Sequence, residues 1–467
     1  MARYIGLDLG TTSITALILD TERREILVKQ GVDNDTQRAA PKGRSEWDID
    51  RMVGLSLELL SALAQTPEGR SVAAIGVTGQ MHGMALLDAQ ANPLQRFIGW
   101  QDQRCHERLP NGQTYLSQMA TLAETTLGRT GCRLATGYMA STLFWLKQNA
   151  LLPDGAQACF APDYLVSRLC NQAPVTDATN AASAGVYDVI NGQWDTATLN
   201  ALGLPVARFP EVKPSCSVAG GLARDIGLSE GLPVTVACGD NQASFAGSVA
   251  DYSESVLVNI GTGGQISLFV NVPILTEALD LRPFLQGGYL LVGAGLCGGR
   301  SYRALRDFMK HVGEAVFGVS DVPDLYERLN ALASDVPPGS DGLHCEPIFT
   351  GSRREPNRRG VWSGISETNF TPGHLARSLL EGLAEQFSDF YKEMQALGVQ
   401  RRAQLIGAGN GVRKNALLQQ ILAETFSLPL RVAHHTEEAA VGAALCAAVA
   451  VGEFADIQAA SRGFIRY

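Results

Sequence analysis

Several short runs in this chain set small, backbone-exposing residues beside one carboxylate or amide, a combination suited to handling phosphate. The first is Asp8-Leu9-Gly10-Thr11-Thr12-Ser13. Glycine and small hydroxyl residues let the main chain approach an anion closely, so Gly10, Thr11, Thr12 and Ser13 read as a phosphate-cradling turn. A bare carboxylate would repel phosphate, so Asp8 at that point implies a Mg²⁺ shared with a nucleotide. Gly261-Thr262-Gly263-Gly264 repeats the device in the second half. Asp240, in Gly239-Asp240-Asn241-Gln242, follows an apolar strand. A carboxylate at the carboxyl end of a strand is suitably placed to take a proton from a hydroxyl. Each run is also ordinary turn chemistry, a Gly-Thr hairpin or a Gly-Asp-Asn bend. What separates the two readings is their combination along the chain.

Gln80, His82, Asp102, Arg104 and Asn180 add short or planar hydrogen-bonding groups on loops of the first half. Polyol recognition needs such groups, because every desolvated sugar hydroxyl must find a partner. Taken singly, each is also a common surface polar residue, and His82 equally reads as a satisfied buried histidine with no base role. The Arg353-Arg354 and Arg358-Arg359 run reads as a solvated loop. Other nucleotide motifs are excluded or weak. No G-x-x-x-x-G-K-[ST] occurs, which excludes a P-loop. Gly293-Ala294-Gly295-Leu296-Cys297-Gly298 satisfies G-x-G-x-x-G, but no second strand ending in an acid follows. The region where one would fall is Lys310-His311-Val312-Gly313-Glu314.

The elements that must position these groups follow from periodicity. Ile5, Leu7 and Leu9 alternate with Tyr4, Gly6 and Asp8, the pattern of a strand with one buried face. Ile14 to Asp20 returns as its antiparallel partner across the turn. Ser45 to Asp50 reads as the start of a helix over Met52 to Ala64. Ala73 to Val77 is a buried strand ending in Thr78-Gly79-Gln80-Met81-His82-Gly83, the place where α/β sheets hold ligands. Met84 to Asp88 and Phe97 to Trp100 are expected to continue that sheet, with helices over Ser141 to Asn149 and Asp163 to Leu169. Leu232 to Cys238 is the strand that delivers Asp240. Ser255 to Ile260, the turn at Gly261 and Gln265 to Val270 form the opening hairpin over again. Gln404-Leu405-Ile406 leads into Gly407-Ala408-Gly409-Asn410-Gly411, followed by helices over Arg413 to Phe426 and Glu437 to Val451. Such a duplication implies two similar α/β lobes, 1–245 and 246–467, each offering a phosphate turn to a cleft between them.

Composition agrees. At 467 residues, two domains are the natural expectation. An apolar content of 45% with 18% charged residues belongs to a folded chain with large buried sheets. A net charge of −9 disfavours a general nucleic-acid binder. Nine scattered cysteines without a Cys-x-x-Cys pair indicate reduced thiols, neither a disulfide framework nor a zinc site. No apolar run reaches the ~18 residues of a membrane span, and no leader opens the chain, so a cytoplasmic protein is expected.

Taken together, the residues resemble the FGGY family of carbohydrate kinases over essentially the whole chain. The resemblance implies the two-lobed α/β fold of actin, hexokinase and the heat-shock ATPases, a ribonuclease H-like core duplicated about an interlobe cleft. It implies that Asp8 to Ser13 is the first phosphate turn, that Gly261-Thr262-Gly263 is the second, and that Gly407-Ala408-Gly409-Asn410-Gly411 with Asn415 holds the adenosine. Asp240 stands where the family keeps its catalytic base, and Mg²⁺ falls to Asp8 and Asp240. Gly360 to Ile365, followed by His374-Leu375, resembles one family signature. The other, Gly137 to Asn149, departs from the pattern: Thr142 replaces a usual lysine, and Ser352 stands where the related loop often has Glu. Gly79-Gln80-Met81-His82-Gly83 and Trp100-Gln101-Asp102-Gln103-Arg104 point to ketose kinases. They imply substrate contacts from Gln80, Met81, His82, Trp100, Asp102, Arg104, Asn180, Asp240 and Asn241. Tyr138, Phe144-Trp145-Leu146 and Asn180-Ala181-Ala182-Ser183 place sedoheptulose ahead of xylulose. The expected partners are that ketose and ATP, with no nucleic acid or membrane, in a monomer or homodimer. An ATPase of filament or chaperone type would leave Gln80 to His82 and Trp100 to Arg104 idle, and a catalytically silent regulator has no use for Asp240.

Overall fold

The alternation at the start of the chain does become a strand, and the elements expected at the site line up on it. The computed structural model of the protein describes residues 3–124, 127–319, 321–349, 351 and 358–467. Ser352, Arg353 and Arg354 fall outside these. The strand Arg3–Leu9 runs antiparallel to Ser13–Asp20, with Leu9 opposite Ile14, and parallel to Val72–Gly79, with Leu9 beside Gly79. Cys238–Gly239 joins the other edge of Val72–Gly79, with Gly239 beside Gly79. The carboxyl ends of three parallel segments therefore meet at one edge, with Asp8 just inside the end of the first and Gln80 and Asp240 directly after the other two. The full sheet runs Val218–Gly221, Pro233–Thr235, Val72–Gly79, Arg3–Leu9, Ser13–Asp20, Glu25–Asp33. Under it, Ile5, Leu7, Leu9, Ile14 and Ile18 pack with Met52, Leu59, Leu60 and Leu63 of the helix Ile49–Ala64. Full burial of each large aliphatic side chain contributes roughly 1.5–3 kcal/mol. Asp48 caps that helix by accepting from Arg51 N, whereas Glu46–Trp47, expected at its start, is a strand.

Two expected strands leave this sheet. Ala85–Leu87 pairs with Gln157–Cys159, and Phe97–Ile98 pairs with Glu46–Trp47. The cause is local: His82 at φ 65° and Gly83 at φ 53° turn the chain away directly after the strand end.

The chain divides into two compact units. One holds the residues up to Asp251 together with Val270–Leu290 and His434–Arg466; the other holds Tyr252–Phe269, Leu291–Ala433 and Tyr467. The first boundary falls close to the one expected at 245/246, but 270–290 and 434–466 belong to the first unit. Close packing explains the tail. The helix Glu438–Ala450, with Ala440, Val441, Ala443, Ala444 and Ala447 buried, lies directly on the sheet. A Cβ at Gly6 would sit 1.8 Å from the Ala440 carbonyl oxygen, and one at Gly76 would sit 1.8 Å from that of Ala443. Only glycine admits so close a crossing.

The second unit repeats the hairpin. Ser255–Ile260 pairs antiparallel with Gly263–Val270, with Ile260 opposite Gly264, and parallel with Gln404–Ala408. Its sheet runs Tyr289–Cys297, Gly263–Val270, Ser255–Ile260, Gln404–Ala408, Leu430–Val432. The G-x-G-x-x-G run lies mostly inside the strand Tyr289–Cys297, and Lys310 to Glu314 lies in the helix Gly299–Phe317, so no dinucleotide turn forms. The helix expected over Arg413 to Phe426 is broken into Asn410–Arg413 and Ala416–Phe426. No helix among the described residues is long and apolar enough to cross a membrane, and all nine cysteines are free thiols.

Candidate active site

The first phosphate turn is pinned from one side. Asn34 donates from Nδ2 to the Gly10 carbonyl at 2.9 Å, and Asn34 N donates to the Thr12 carbonyl at 2.8 Å. A Cβ at Gly10 would meet the Ser13 carbonyl oxygen at 2.6 Å, so the turn requires glycine there. Thr12 and Ser13 are exposed, and Thr11 accepts from Trp100 Nε1 at 3.0 Å. The turn thus sets exposed hydroxyls and glycine main chain at Gly10 to Ser13 on a fixed backbone, a composition suited to an anion.

Asp8 and Asp240 are partly buried beside this turn. Burial pushes the Asp8 carboxyl up to about 8, and the like charges of Asp240 and Glu437 push in the same direction. Burial also pushes Asp240 up to about 6, against the Asn241 N–H and the Arg282 cation, which favour its ionised form. Asp8 Oδ1 is buried without a hydrogen-bond partner. An unpaired carboxylate oxygen close to two further carboxylates is a place where a cation is favourable. Among the described residues, no three His, Cys, Asp or Glu side chains converge into a cage for a metal. The arrangement therefore fits Mg²⁺, which takes one or two carboxylates and completes its shell with phosphate oxygens and water.

Around Asp240 stands a set of polar groups with unused hydrogen-bonding capacity. Gln80 accepts from Thr11 Oγ1 at 3.4 Å, while its Nε2 is buried and unpartnered. Asn180 is fully buried; its Nδ2 donates to the Ala237 carbonyl at 3.3 Å and its Oδ1 has no partner. Asn241 Oδ1 is likewise unpartnered. Met81 lies under the segment, since a Cβ at Gly239 would meet its Sδ at 2.8 Å. The helix Ala178–Ala182, capped by Asp177, carries Asn180, and Thr179 Oγ1 accepts from Gly239 N at 2.8 Å. The strand end that delivers Asp240 is thereby tied to the helix that delivers Asn180. Buried donors and acceptors left open in this way are what a polyol would satisfy.

Other expected site residues are occupied elsewhere. Asp102 is fully buried with both oxygens filled: Oδ1 accepts from Arg104 N and Nε at 2.9 and 2.7 Å, and Oδ2 from Ser45 N and Arg104 Nη2 at 2.8 and 2.9 Å. Arg104 also bonds Glu46 at 3.2 Å. The pair is a structural lock on its loop, with no capacity on Asp102 left for a sugar hydroxyl. His82 is a satisfied buried histidine, with Nδ1 2.8 Å from the Ser183 carbonyl oxygen and its ring stacked on Tyr138 at 4.2 Å. Trp100 is 40% exposed and reaches the phosphate turn through Thr11.

In the second unit, Gly299 N and Arg300 N donate to the Gly261 and Thr262 carbonyls at 2.9 and 3.0 Å, fixing the second turn on the start of a helix. Gly261, Thr262 and Gly263 are exposed. Gly407 and Ala408 end a buried strand, and Gly409, at φ 78°, turns into the short helix carrying Asn410 and Gly411. Asn415 caps the helix Ala416–Phe426 by accepting from Leu418 N at 3.0 Å, and its Nδ2 donates to Asn330 at 3.0 Å. Its side chain is therefore engaged in holding the loop. Two charged groups were not marked as site residues by the sequence: Glu437, whose charge acts on Asp8, and Arg282, whose charge acts on Asp240. The signal for Arg282 was a lone cation inside the otherwise apolar run Leu281-Arg282-Pro283-Phe284-Leu285.

Known proteins resemble this chain over nearly its whole length. Residues 3–247 match the N-terminal domain of the FGGY family of carbohydrate kinases, and residues 269–451 match its C-terminal domain. The chain is 28% identical to human (Homo sapiens) sedoheptulokinase over 94% of its own length and 96% of that protein. It is 28% identical to glycerol kinase of Trichlorobacter lovleyi, over 99% and 92% of the two chains. The crystal structure of xylulose kinase from Rhodospirillum rubrum superposes with a TM-score of 0.87 at 25% identity, covering 99% and 93%.

Proposed function

The chain belongs to the FGGY family of carbohydrate kinases, and from that premise we propose that it transfers the γ-phosphoryl group of ATP to the terminal hydroxyl of an open-chain ketose, sedoheptulose at C7. The reading is carried by one observation: Asp240 opens the helix Asp240–Ala246 directly after the strand Cys238–Gly239, beside the Asp8 turn, with open polar atoms of Gln80, Asn180 and Asn241 on the same unit. Similarity to human sedoheptulokinase over nearly the whole chain supports the choice of ketose.

In this account Asp240 accepts the proton of the attacking hydroxyl as the new P–O bond forms. A carboxylate held up to about 6 is almost fully ionised at neutral pH, yet more basic than an ordinary aspartate, which suits a general base. Gln80, Asn180 and Asn241 orient the sugar, and Met81 gives its carbon chain an apolar seat. Main-chain groups at Gly10 to Ser13, and at Gly261 to Gly263, receive phosphate oxygens, while Gly407 to Gly411 supports the nucleoside. Asp8 and Asp240 would hold Mg²⁺, which would neutralise charge on the phosphates. Phosphoryl transfer depends mostly on positioning and electrostatics, so these groups act together with the base.

The test is a coupled ADP-release assay with sedoheptulose, D-xylulose, D-ribulose and glycerol. Sedoheptulose is expected to give the highest kcat/KM. A tenfold advantage for xylulose would move the assignment to that sugar, and ADP release indifferent to every sugar would remove the ketose-kinase reading.

A further inference from the structure

Arg282 lies in the strand Asp280–Pro283, and its side chain is only 9% exposed. Its Nη2 donates to Asp280 Oδ2 at 2.8 Å, and Nη1 stands 4.0 Å from Met81 Sδ. Its Nε is buried with no partner. The strand packs on the helix bearing Asn180, and the next residue, Pro283, accepts from Gln242 Nε2 at 3.0 Å. The guanidinium is thus held on two sides within the polar set around Met81 and Asp240.

A purely structural guanidinium spends its donors, because an unmatched buried N–H is costly. Arg104 in this same unit does so, with Nε and Nη2 both on Asp102 and Nη2 also on Glu46. Arg282 instead offers its fork to one carboxylate and a thioether, a weak acceptor. Asp280 balances its charge, so the surplus donors call for neutral oxygens, not a second anion.

We propose that Arg282 is a substrate-binding residue that donates hydrogen bonds from its guanidinium to oxygens of a neutral, open-chain sugar seated over Met81. The proposal rests on the ketose-kinase reading above and adds to it the group that recognises the sugar chain. Sugar binding completes the fork; sugars lacking an oxygen at that place leave a buried donor orphaned and are rejected.

The experiment compares Arg282→Met, Arg282→Lys and Asp280→Asn in the full chain, by steady-state kinetics on the accepted ketose and on ATP and by thermal melting. Arg282→Met keeps bulk but no donors, and its ketose KM is expected to rise about 10- to 100-fold, the size of a charge-assisted hydrogen bond. The KM for ATP is expected to stay within threefold. Arg282→Lys keeps the pair with Asp280 but loses the planar fork, so it also raises ketose KM at near wild-type melting temperature. Asp280→Asn breaks the same ion pair yet leaves the fork, and raises ketose KM less than Arg282→Met does. Equal KM effects for Asp280→Asn and Arg282→Met, or an Arg282→Lys enzyme with wild-type ketose KM, overturn the proposal while leaving the ketose reading intact. A wild-type enzyme that phosphorylates gluconate tenfold better than any ketose also overturns it, because Arg282 would then be reading a carboxylate. A wild-type enzyme that phosphorylates no sugar at all overturns the functional reading, and this proposal with it.

Discussion

Lowering the pH tests whether the environment of Asp240 makes it the base. An ordinary aspartate, at 3.8, is still about 94% ionised at pH 5, whereas one held up to about 6 is only about 9% ionised there. The sign is fixed by the chemistry: the base works deprotonated, so a raised value removes activity as pH falls. From pH 7.5, where Asp240 is about 97% ionised, to pH 5, kcat/KM for the ketose is expected to fall roughly tenfold. Below that it falls a further tenfold per unit. The assay is ADP release at saturating Mg-ATP, with circular dichroism at each pH to confirm the fold. The nucleotide's own phosphate also titrates near this range, so the control is the residual activity of Asp240→Asn. A fall caused by Asp240 vanishes in that variant, and one caused by the nucleotide persists. A wild-type profile flat from 7.5 to 5 would refute the assignment of Asp240 as a burial-tuned base.

Further consequences follow from the same contacts. Asp8 is held up to about 8 from 3.8, so its ionisation destabilises the ligand-free fold increasingly as pH rises across that window. Asp8→Asn is therefore expected to melt higher than wild type at pH 8.5 and to lose most of that advantage by pH 4.5; a pH-independent difference would rule this out. Gly76→Ala forces a Cβ to within 1.8 Å of the Ala443 carbonyl oxygen and is expected to cost at least about 1–3 kcal/mol, read as a lower midpoint in urea. An unchanged midpoint would mean that the helix Glu438–Ala450 does not press on the sheet as described. Asp102→Asn, within a filled pair, is expected to lower thermal stability more than it changes ketose KM in the enzyme that remains folded. A selective rise in KM at unchanged melting temperature would return Asp102 to the sugar site.

Much of the fold was legible because its signals are local. Two Gly-Thr turns between alternating runs specify two hairpins, and Ala-rich spacing over 438–450 specifies a buried helix. What joins that helix to the first unit was not legible, since its partners Gly6 and Gly76 lie far away in sequence and glycine there has other readings. The departure of Ala85–Leu87 from the main sheet depended on left-handed backbone at His82, a conformation that residue type does not announce. In the site, Asp240 and Gln80 could be located because each directly follows a recognisable strand, whereas Asn180, expected on a loop, lies in the short helix Ala178–Ala182. Asp102 and Arg104 misled for a physical reason: a carboxylate and a guanidinium two residues apart can serve a ligand or each other, and only the folded loop shows them paired. Arg282 escaped notice because its strand has no turn or motif to mark it, only a cation among apolar neighbours.

The account rests on a ketose being phosphorylated through Asp240. The most direct measurement is sedoheptulose-dependent ADP release by wild type and Asp240→Asn, with ketose binding measured by calorimetry on both. Removing a general base typically costs about 10²–10⁴ in rate. The account predicts that wild type converts sedoheptulose to a 7-phosphate, and that Asp240→Asn loses about that factor in kcat while binding the sugar within a few-fold of wild type. A variant that turns over at near wild-type rate, or that loses sugar binding and folded signal together, would contradict it.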